Sequence, residues 1–306
     1  MREDPYLKVL QRTMEDSKGS KIGLALSGGL DSMVLAEGLH RLGLAFVVLH
    51  VDHGWREMES AADAAWVKAW CRERKIPFFG KKLRAGSART EAAGREARRS
   101  FYEHVAERNG LGEIWLAHHA DDLVETFLLQ LLRGAGPEGL ASMPERRKMG
   151  KVEWVRPLLT FRKAELKSLA RNWKLSWRED ASNRSEDYLR NRIRHRLLPA
   201  LQKMTGRDPS PVLARCARIL SDENVYWEEL LPEVWPENLA CAGLKKASVA
   251  LQRRAIRSWL LSRKVKDLSF EDIEAVRGLL LREKPAKVNL SKEKYCRRRS
   301  GVLFIE

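Results

Sequence analysis

An α/β fold, with a doubly wound and mostly parallel sheet followed by a smaller, mostly helical domain with short terminal strands, is predicted by three observations on this 306-residue chain. Short apolar runs alternate with helical stretches up to about Lys174, the pattern of strands joined by crossover helices. A Gly-Gly turn follows the first apolar run and opens a helix, as at an anion-binding strand-to-helix junction. Beyond Asn183 the alternation gives way to helical patterning.

Residues 21–27 (KIGLALS) and 44–51 (LAFVVLHV) are continuous apolar runs of strand length, as strands buried on both faces require. Runs at 77–79, 113–117 and 153–159 read the same way, with helices expected at 31–42, 59–74, 91–109, 121–132 and 162–173. In sheets of this kind ligands bind beyond the carboxyl ends of the strands. Further helices are expected at 187–203, 211–231, 248–262 and 269–280, and alternation over 286–305 suggests short strands. The glycine and two prolines of GRDPSP interrupt the helices, so a first domain is expected over 1–205, a linker helix over 206–232 and a small C-terminal domain over 233–306.

The net charge is +16 and the isoelectric point about 9.9, while 44% hydrophobic residues suffice for a core and exclude a fully disordered chain. The charge is uneven: +5 over 51–100, +7 over 151–200 and +9 over 251–300, against −3 over 101–150. Such clustering suggests a polyanion partner, whose phosphates release counterions on neutralisation. Cys71, Cys216, Cys241 and Cys296 are scattered without a CxxC, which argues against a paired zinc or redox motif and a disulfide framework. The N-terminus has no apolar signal region and no stretch approaches a membrane span, so a cytoplasmic protein with no membrane partner is expected.

The sharpest chemical signal is Ser27-Gly28-Gly29-Leu30-Asp31-Ser32. Two glycines let the backbone approach a phosphate closely, and the helix start with its small hydroxyls supplies donors. Asp31 would be repelled by phosphate unless a divalent cation lay between them, which points to Mg²⁺. No GxxxxGK[ST] occurs, and the GxGxxG string over 134–139 follows a helix and contains a proline, so it reads as a loop.

A second constellation, His118-His119-Ala120-Asp121-Asp122 continuing to Glu125 and Thr126, stands at the end of a strand and the start of a helix. Asp122 and Glu125 are three apart and share a helix face. Paired carboxylates can hold Mg²⁺, bind a cationic substrate or take a proton from an attacking amine. The same acids would also suit the helix dipole. His53, in the strand-end string LHVDHGWR, is placed to meet an adenine or ribose, and equally to be a structural histidine. A basic run through Arg190, Asn191, Arg192, Arg194 and Arg196 can present one face to phosphates while Ile193, Leu197 and Leu198 face a core.

Together these strings resemble the tRNA(Ile)-lysidine synthetase family of the PP-loop ATP pyrophosphatase superfamily. The matching pieces are SGGLDS, VDHGWR, EAAGREARRSF, LAHHADDLVETFLLQLLRGAGPEGLASM, VRPLLTFRKAEL and EDASN followed by RNRIRHRLLPAL, in family order from Ser27 to about Leu201. Asp52, Trp55, Gly94 and Arg99 depart from the residues usual in the family. The resemblance implies a PP-loop, Rossmann-like catalytic domain and a tRNA-contacting C-terminal domain. It implies ATP and Mg²⁺ as cofactors, and free L-lysine and a tRNA(Ile) with a CAU anticodon as partners, with a homodimer admitted. The activity implied is ligation of lysine to C2 of the wobble cytidine (position 34), through an adenylated cytidine, with release of pyrophosphate and AMP. A PP-loop tRNA thiolase and a non-catalytic RNA-binding protein are the rival readings.

Carried over residue by residue, Ser27, Gly28, Gly29, Leu30, Asp31, Ser32 and His53 would hold ATP, with Asp31 the metal ligand. Asp31, Arg98, Asp122, Glu125 and Arg190 would be catalytic. Arg98, His118, His119, Asp122, Glu125, Arg190, Asn191 and Arg194 would bind substrate. Arg98 or Arg190 would pair the lysine carboxylate, and Asp122 or Glu125 would take the amine proton.

Overall fold

The computed structural model describes residues 4–52, 57–83, 91–141, 143–178, 188–282, 286–290 and 294–306. The expected nucleotide contact His53, and the EDASN string, lie outside them. The chain divides into two compact units, Met1–Ser221 and Asp222–Glu306, and the division falls inside the helix that the sequence reading set apart as a linker.

In the first unit, helix α1 (Pro5–Asp16) precedes strand β1 (Ile22–Ala25), α2 (Leu30–Arg41), β2 (Phe46–Asp52), α3 (Glu57–Glu73), β3 (Phe78–Lys82), α4 (Glu91–Asn109) and β4 (Glu113–Trp115). Then come α5 (Ala120–Leu132), α6 (Pro137–Leu140), β5 (Arg146–Met149), β6 (Val152–Val155), α7 (Lys163–Asn172), α8 (Leu189–Arg192), α9 (Leu198–Thr205) and the first part, to Ser221, of α10 (Ser210–Glu229). The strands form one sheet in the order β3-β2-β1-β4-β6-β5, parallel except for the β5–β6 pair at one edge. From β1 the chain moves outward to β2 and β3, then returns to place β4 on the other side of β1. The switch point therefore lies between β1 and β4, where a crevice opens beyond the carboxyl ends of the strands.

The expected mostly parallel sheet is present, with three local corrections. The GxGxxG string is not wholly loop, because Pro137 starts the one-turn helix α6, its fixed φ and missing N–H being suited to a first helical turn. The single helix expected over 187–203 runs without a break among its described residues from Leu189 to Thr205, but with a π-helical turn over Ile193–Leu197 between α8 and α9. The strand expected over 153–159 ends at Val155, with Pro157 just beyond to stop the ladder. Helix α1 was not singled out, although Asp4 caps it by accepting from the Tyr6 N–H at 3.0 Å and Pro5 stands in its first turn.

Helix α1 packs on α2 because Gly38 leaves room: a Cβ there would meet the Leu10 side chain at 2.6 Å. Leu10, Leu24, Met33, Leu35, Leu39 and Trp115 are buried in the resulting core. Truncating a leucine in such a core to alanine costs about 2–5 kcal/mol, so the scaffold under the crevice is stiff. The edge hairpin is tied in by Arg146, which donates to Glu113 (2.9 Å), Glu153 (2.7 Å) and the Thr13 carbonyl (2.8 Å).

The second unit carries β7 (Leu239–Ala240), α11 (Cys241–Lys246), α12 (Val249–Ser262), α13 (Phe270–Leu280), β8 (Ala286–Asn289), β9 (Tyr295–Arg299) and β10 (Val302–Ile305). Its antiparallel sheet runs β7-β10-β9-β8, and Ile256, Trp259, Val276, Leu280, Cys296 and Leu303 form its core. Helices and short terminal strands thus share this unit, as expected.

Candidate active site at the β1 and β4 strand ends

The first glycine turn follows β1. Gly28 has φ +90°, in the region open chiefly to glycine, and a Cβ there would stand 3.0 Å from Val67. Gly29 caps α2 with extended backbone. The turn is closed by its own hydroxyls: the Gly29 N–H donates to Ser27 Oγ (3.2 Å), Ser32 Oγ donates to the Gly29 carbonyl (2.9 Å), and the two serine oxygens are 3.0 Å apart. The first amides of α2 have no intrahelical acceptors, and an anion is favoured at such a helix start. Leu30 anchors the helix by burying its side chain.

Asp31, in the first turn of α2, has one oxygen, Oδ1, that is buried and without a hydrogen-bond partner. Its other oxygen lies 3.6 Å from His119 Nε2 and 3.8 Å from Lys163 Nζ. A lone carboxylate oxygen with spare capacity suits Mg²⁺, which is commonly held by one or two carboxylates together with substrate phosphates. Among the described residues no cluster of three or more His, Cys, Asp or Glu forms a metal cage.

His119 and Asp122 build the start of α5 together. The Asp122 carboxylate accepts from the His119 N–H (3.1 Å), and His119 Nδ1 accepts from the Asp122 N–H (3.4 Å), a reciprocal capping box. With Nδ1 accepting, the ring proton sits on Nε2, which faces Asp31 Oδ2 and, at 3.5 Å, Asp122 Oδ2. Burial disfavours the His119 cation, but Asp31, Asp122 and Asp121 outweigh it and raise the imidazole pKa above its ordinary value. Burial also works against the Asp122 anion, yet His119, His118 and Arg190 hold its carboxyl below the usual range.

His118 behaves oppositely. Burial pushes its pKa down to about 4, with Arg156, Arg190 and His119 acting in the same direction against Asp122, and its Nδ1 is buried without a partner. It is a neutral histidine beside a carboxylate.

Glu125 shares a helix face with Asp122 but has a different set of partners. It is 1% exposed, and the Arg194 guanidinium binds both its oxygens, Nε to Oε1 at 2.6 Å and Nη2 to Oε2 at 2.9 Å. Arg190 Nε lies 3.1 Å from Oε2, while Arg190 Nη2 donates to Thr126 Oγ1 (2.6 Å). The π-helical turn carries Arg194, consistent with the tendency of such turns to occur at functional sites. Asn191 is buried beside these arginines in sequence. Arg98 sits on α4, and no hydrogen bond or ion pair joins it to His119, Asp122 or Glu125 among the described residues.

The site thus gathers Ser27 to Ser32, His118, His119, Asp122, Glu125, Arg190 and Arg194. It also includes residues that sequence reasoning did not single out. Arg162 Nε donates to Asp121 (2.8 Å) and the Lys163 N–H donates to the other Asp121 oxygen (2.8 Å), while Thr126, already part of the second constellation, receives Arg190. The available signal for the first two was a pair of cations at a helix start, against the dipole.

Sequence comparison bears on this geometry. Residues 4–201 match the family model of the PP-loop domain, and residues 239–304 match that of the TilS substrate binding domain. The tRNA(Ile)-lysidine synthase of Thermosynechococcus vestitus is 35% identical over 273 residues, covering 86% of this chain and 79% of that protein. The chain belongs to the tRNA(Ile)-lysidine synthase family. The family member from Solibacter usitatus is also 35% identical, over 79% of this chain but 56% of its own length, and that from Geobacter sulfurreducens is 33% identical over 61% of its length. The chain therefore spans between about half and four fifths of these relatives. Among solved structures, the U34-tRNA thiolase NcsA from Methanococcus maripaludis with its [4Fe-4S] cluster superposes with a TM-score of 0.55 at 19% identity, covering 67% of this chain and 72% of that one. That likeness shows the shared fold. Among the described residues of this family member, no helix is long and apolar enough to cross a membrane.

Proposed function

We propose that this protein ligates free L-lysine to C2 of the wobble cytidine of a tRNA(Ile) with a CAU anticodon, using ATP. The observation that carries the reading is the 3.6 Å approach of His119, at the β4 end, to Asp31, at the β1 end. It supports one crevice in which an ATP-binding turn and an amine-binding acidic helix start meet.

In this reading the Ser27–Ser32 turn and the α2 amides would cradle the polyphosphate, and Asp31 would hold Mg²⁺. The ion would neutralise phosphate charge as the nucleotide reacts. The cytosine C2 oxygen bonds to the α-phosphorus, the bond to the β-phosphate oxygen breaks, and pyrophosphate leaves. The lysine ε-amine then bonds to C2, and the C2–oxygen bond breaks to release AMP. Because a free ammonium has a pKa of about 10.4, the amine must be deprotonated before attack. Asp122 is the better placed acceptor, since Glu125 is already bound by Arg194 and Arg190. Neutral His118 next to Asp122 adds no positive charge to repel the incoming ammonium. The base must leave the anticodon stack to reach this crevice.

The second unit, matched to a substrate binding domain, would contact the tRNA body through cations such as those of β9. A thiolase reading finds less support, because Cys71, Cys216, Cys241 and Cys296 are spread along the chain and three of them are buried. The test is incorporation of radiolabelled lysine into purified tRNA(Ile) bearing CAU, with ATP and Mg²⁺, against tRNA(Met) with the same anticodon. Lysine-dependent label in the isoleucine tRNA is expected. Its absence with well-folded protein would overturn the reading.

A further inference from the structure

Lys163 is the first residue of α7, and its ammonium stands 3.8 Å from Asp31 Oδ2. Three features make this an unusual place for a lysine. It occupies the positive end of a helix dipole, next to another cation, Arg162, at the cap position. Its backbone N–H donates to Asp121 (2.8 Å), and the preceding residue is held as well: the Arg162 N–H donates to Glu165 (2.6 Å) and its guanidinium to Asp121 (2.8 Å) and Asp208 (2.8 Å). The side chain, by contrast, is 45% exposed and too far from Asp31 for a hydrogen bond. A firmly held backbone thus aims a loosely paired ammonium at the glycine turn.

A lysine whose purpose was to neutralise Asp31 would be expected to close on it, and Asp31 Oδ1 is instead left without a partner. We infer that Lys163 is a pyrophosphate-binding residue, whose ammonium leaves Asp31 for the β- and γ-phosphates when nucleotide occupies the turn. The inference rests on the ATP reading above and adds a residue to it. As the α-phosphorus bonds to the cytosine oxygen and the bridging bond to the β-phosphate breaks, the electron pair stays on the departing pyrophosphate. A preset cation there stabilises that developing charge. The compact ammonium, with its three donors on a flexible stem, suits a leaving group that shifts as it departs.

The experiment is titration calorimetry of the full chain with inorganic pyrophosphate and Mg²⁺, comparing wild type with Lys163→Met, Lys163→Gln and Lys163→Arg, each checked for an unchanged thermal melt. Loss of one charged phosphate contact weakens binding by about tenfold in the Met and Gln variants, while Arg keeps affinity within about threefold. Wild-type affinity in a folded Met or Gln variant overturns the assignment and leaves the ATP reading standing. A wild-type protein that binds no pyrophosphate at all removes the ATP reading, and the role of Lys163 with it.

Discussion

Arg194 grips Glu125 with two nitrogens, at 2.6 Å and 2.9 Å, where the carboxylate is 1% exposed. A buried anion held this way is a strut between α5 and the π-helical turn, and breaking it strands charge on both sides. Glu125→Gln leaves Arg190 and Arg194 facing an amide. Since both arginines remain about a quarter exposed, the expected loss of stability is about 3 kcal/mol, at the low end for buried pairs. Urea denaturation of wild type and variant measures it, and a loss under about 0.5 kcal/mol would show that the pair does not brace the site.

Gly28 tests the turn itself. Alanine at φ +90° carries a backbone cost of about 1–2 kcal/mol and meets Val67 at 3.0 Å, so Gly28→Ala should distort the turn and weaken ATP binding. Gly134→Ala is the control, with φ +73° but nothing within 4 Å of its new Cβ. Equal ATP affinity in the two variants, read by equilibrium dialysis, would contradict the assignment of the Ser27–Ser32 turn to phosphate.

His118 predicts a pH dependence. Its folded pKa of about 4 lies below the ordinary value of about 6.5, so the unfolded chain binds the proton more readily between those limits. Stability attributable to His118 is thus full above pH 6.5 and falls as the pH drops toward 4. His119, raised by Asp31, Asp122 and Asp121 despite burial, works in the opposite sense: its contribution is present below about 6.5 and is lost as pH rises through its folded value. Chemical denaturation at pH 4.5 and 7.5 should therefore show a smaller acid loss for His118→Gln than for wild type. The same loss in both would mean that His118 titrates normally.

On β9, Arg297 and Arg299 alternate outward while Cys296 is buried in the core. If they meet tRNA phosphates, the Arg297→Ala, Arg299→Ala double variant should lose affinity and lower the salt slope by about two. The core of the second unit should be untouched, so its melt is expected to match wild type. A filter-binding series in salt decides, and an unchanged slope would remove β9 from the tRNA surface.

Much of the first unit was legible because its signals are local. Apolar runs of strand length, helices between them and a Gly-Gly turn after β1 specify a parallel sheet and a phosphate-type turn without reference to distant residues. The motif strings carried the family resemblance for the same reason. Less legible were α1, whose cap lies in a charged opening segment, and α6, concealed in a glycine-rich string that reads as loop.

What the tertiary structure decided is which charges meet. Sequence spacing put Asp122 and Glu125 on one helix face and left either as the proton acceptor. Folding gave them different partners, because the arginines that engage both oxygens of Glu125 come from 65 or more residues later in the chain, whereas Asp122 uses one oxygen, Oδ2, in its own helix cap. Likewise, Lys163 reaches Asp31 only because the strand order brings the segments after β1, β4 and β6 to one crevice. A periodic pattern repeats within a few residues and can be read along the chain, but a long-range ion pair depends on strand order and helix placement that no short window contains.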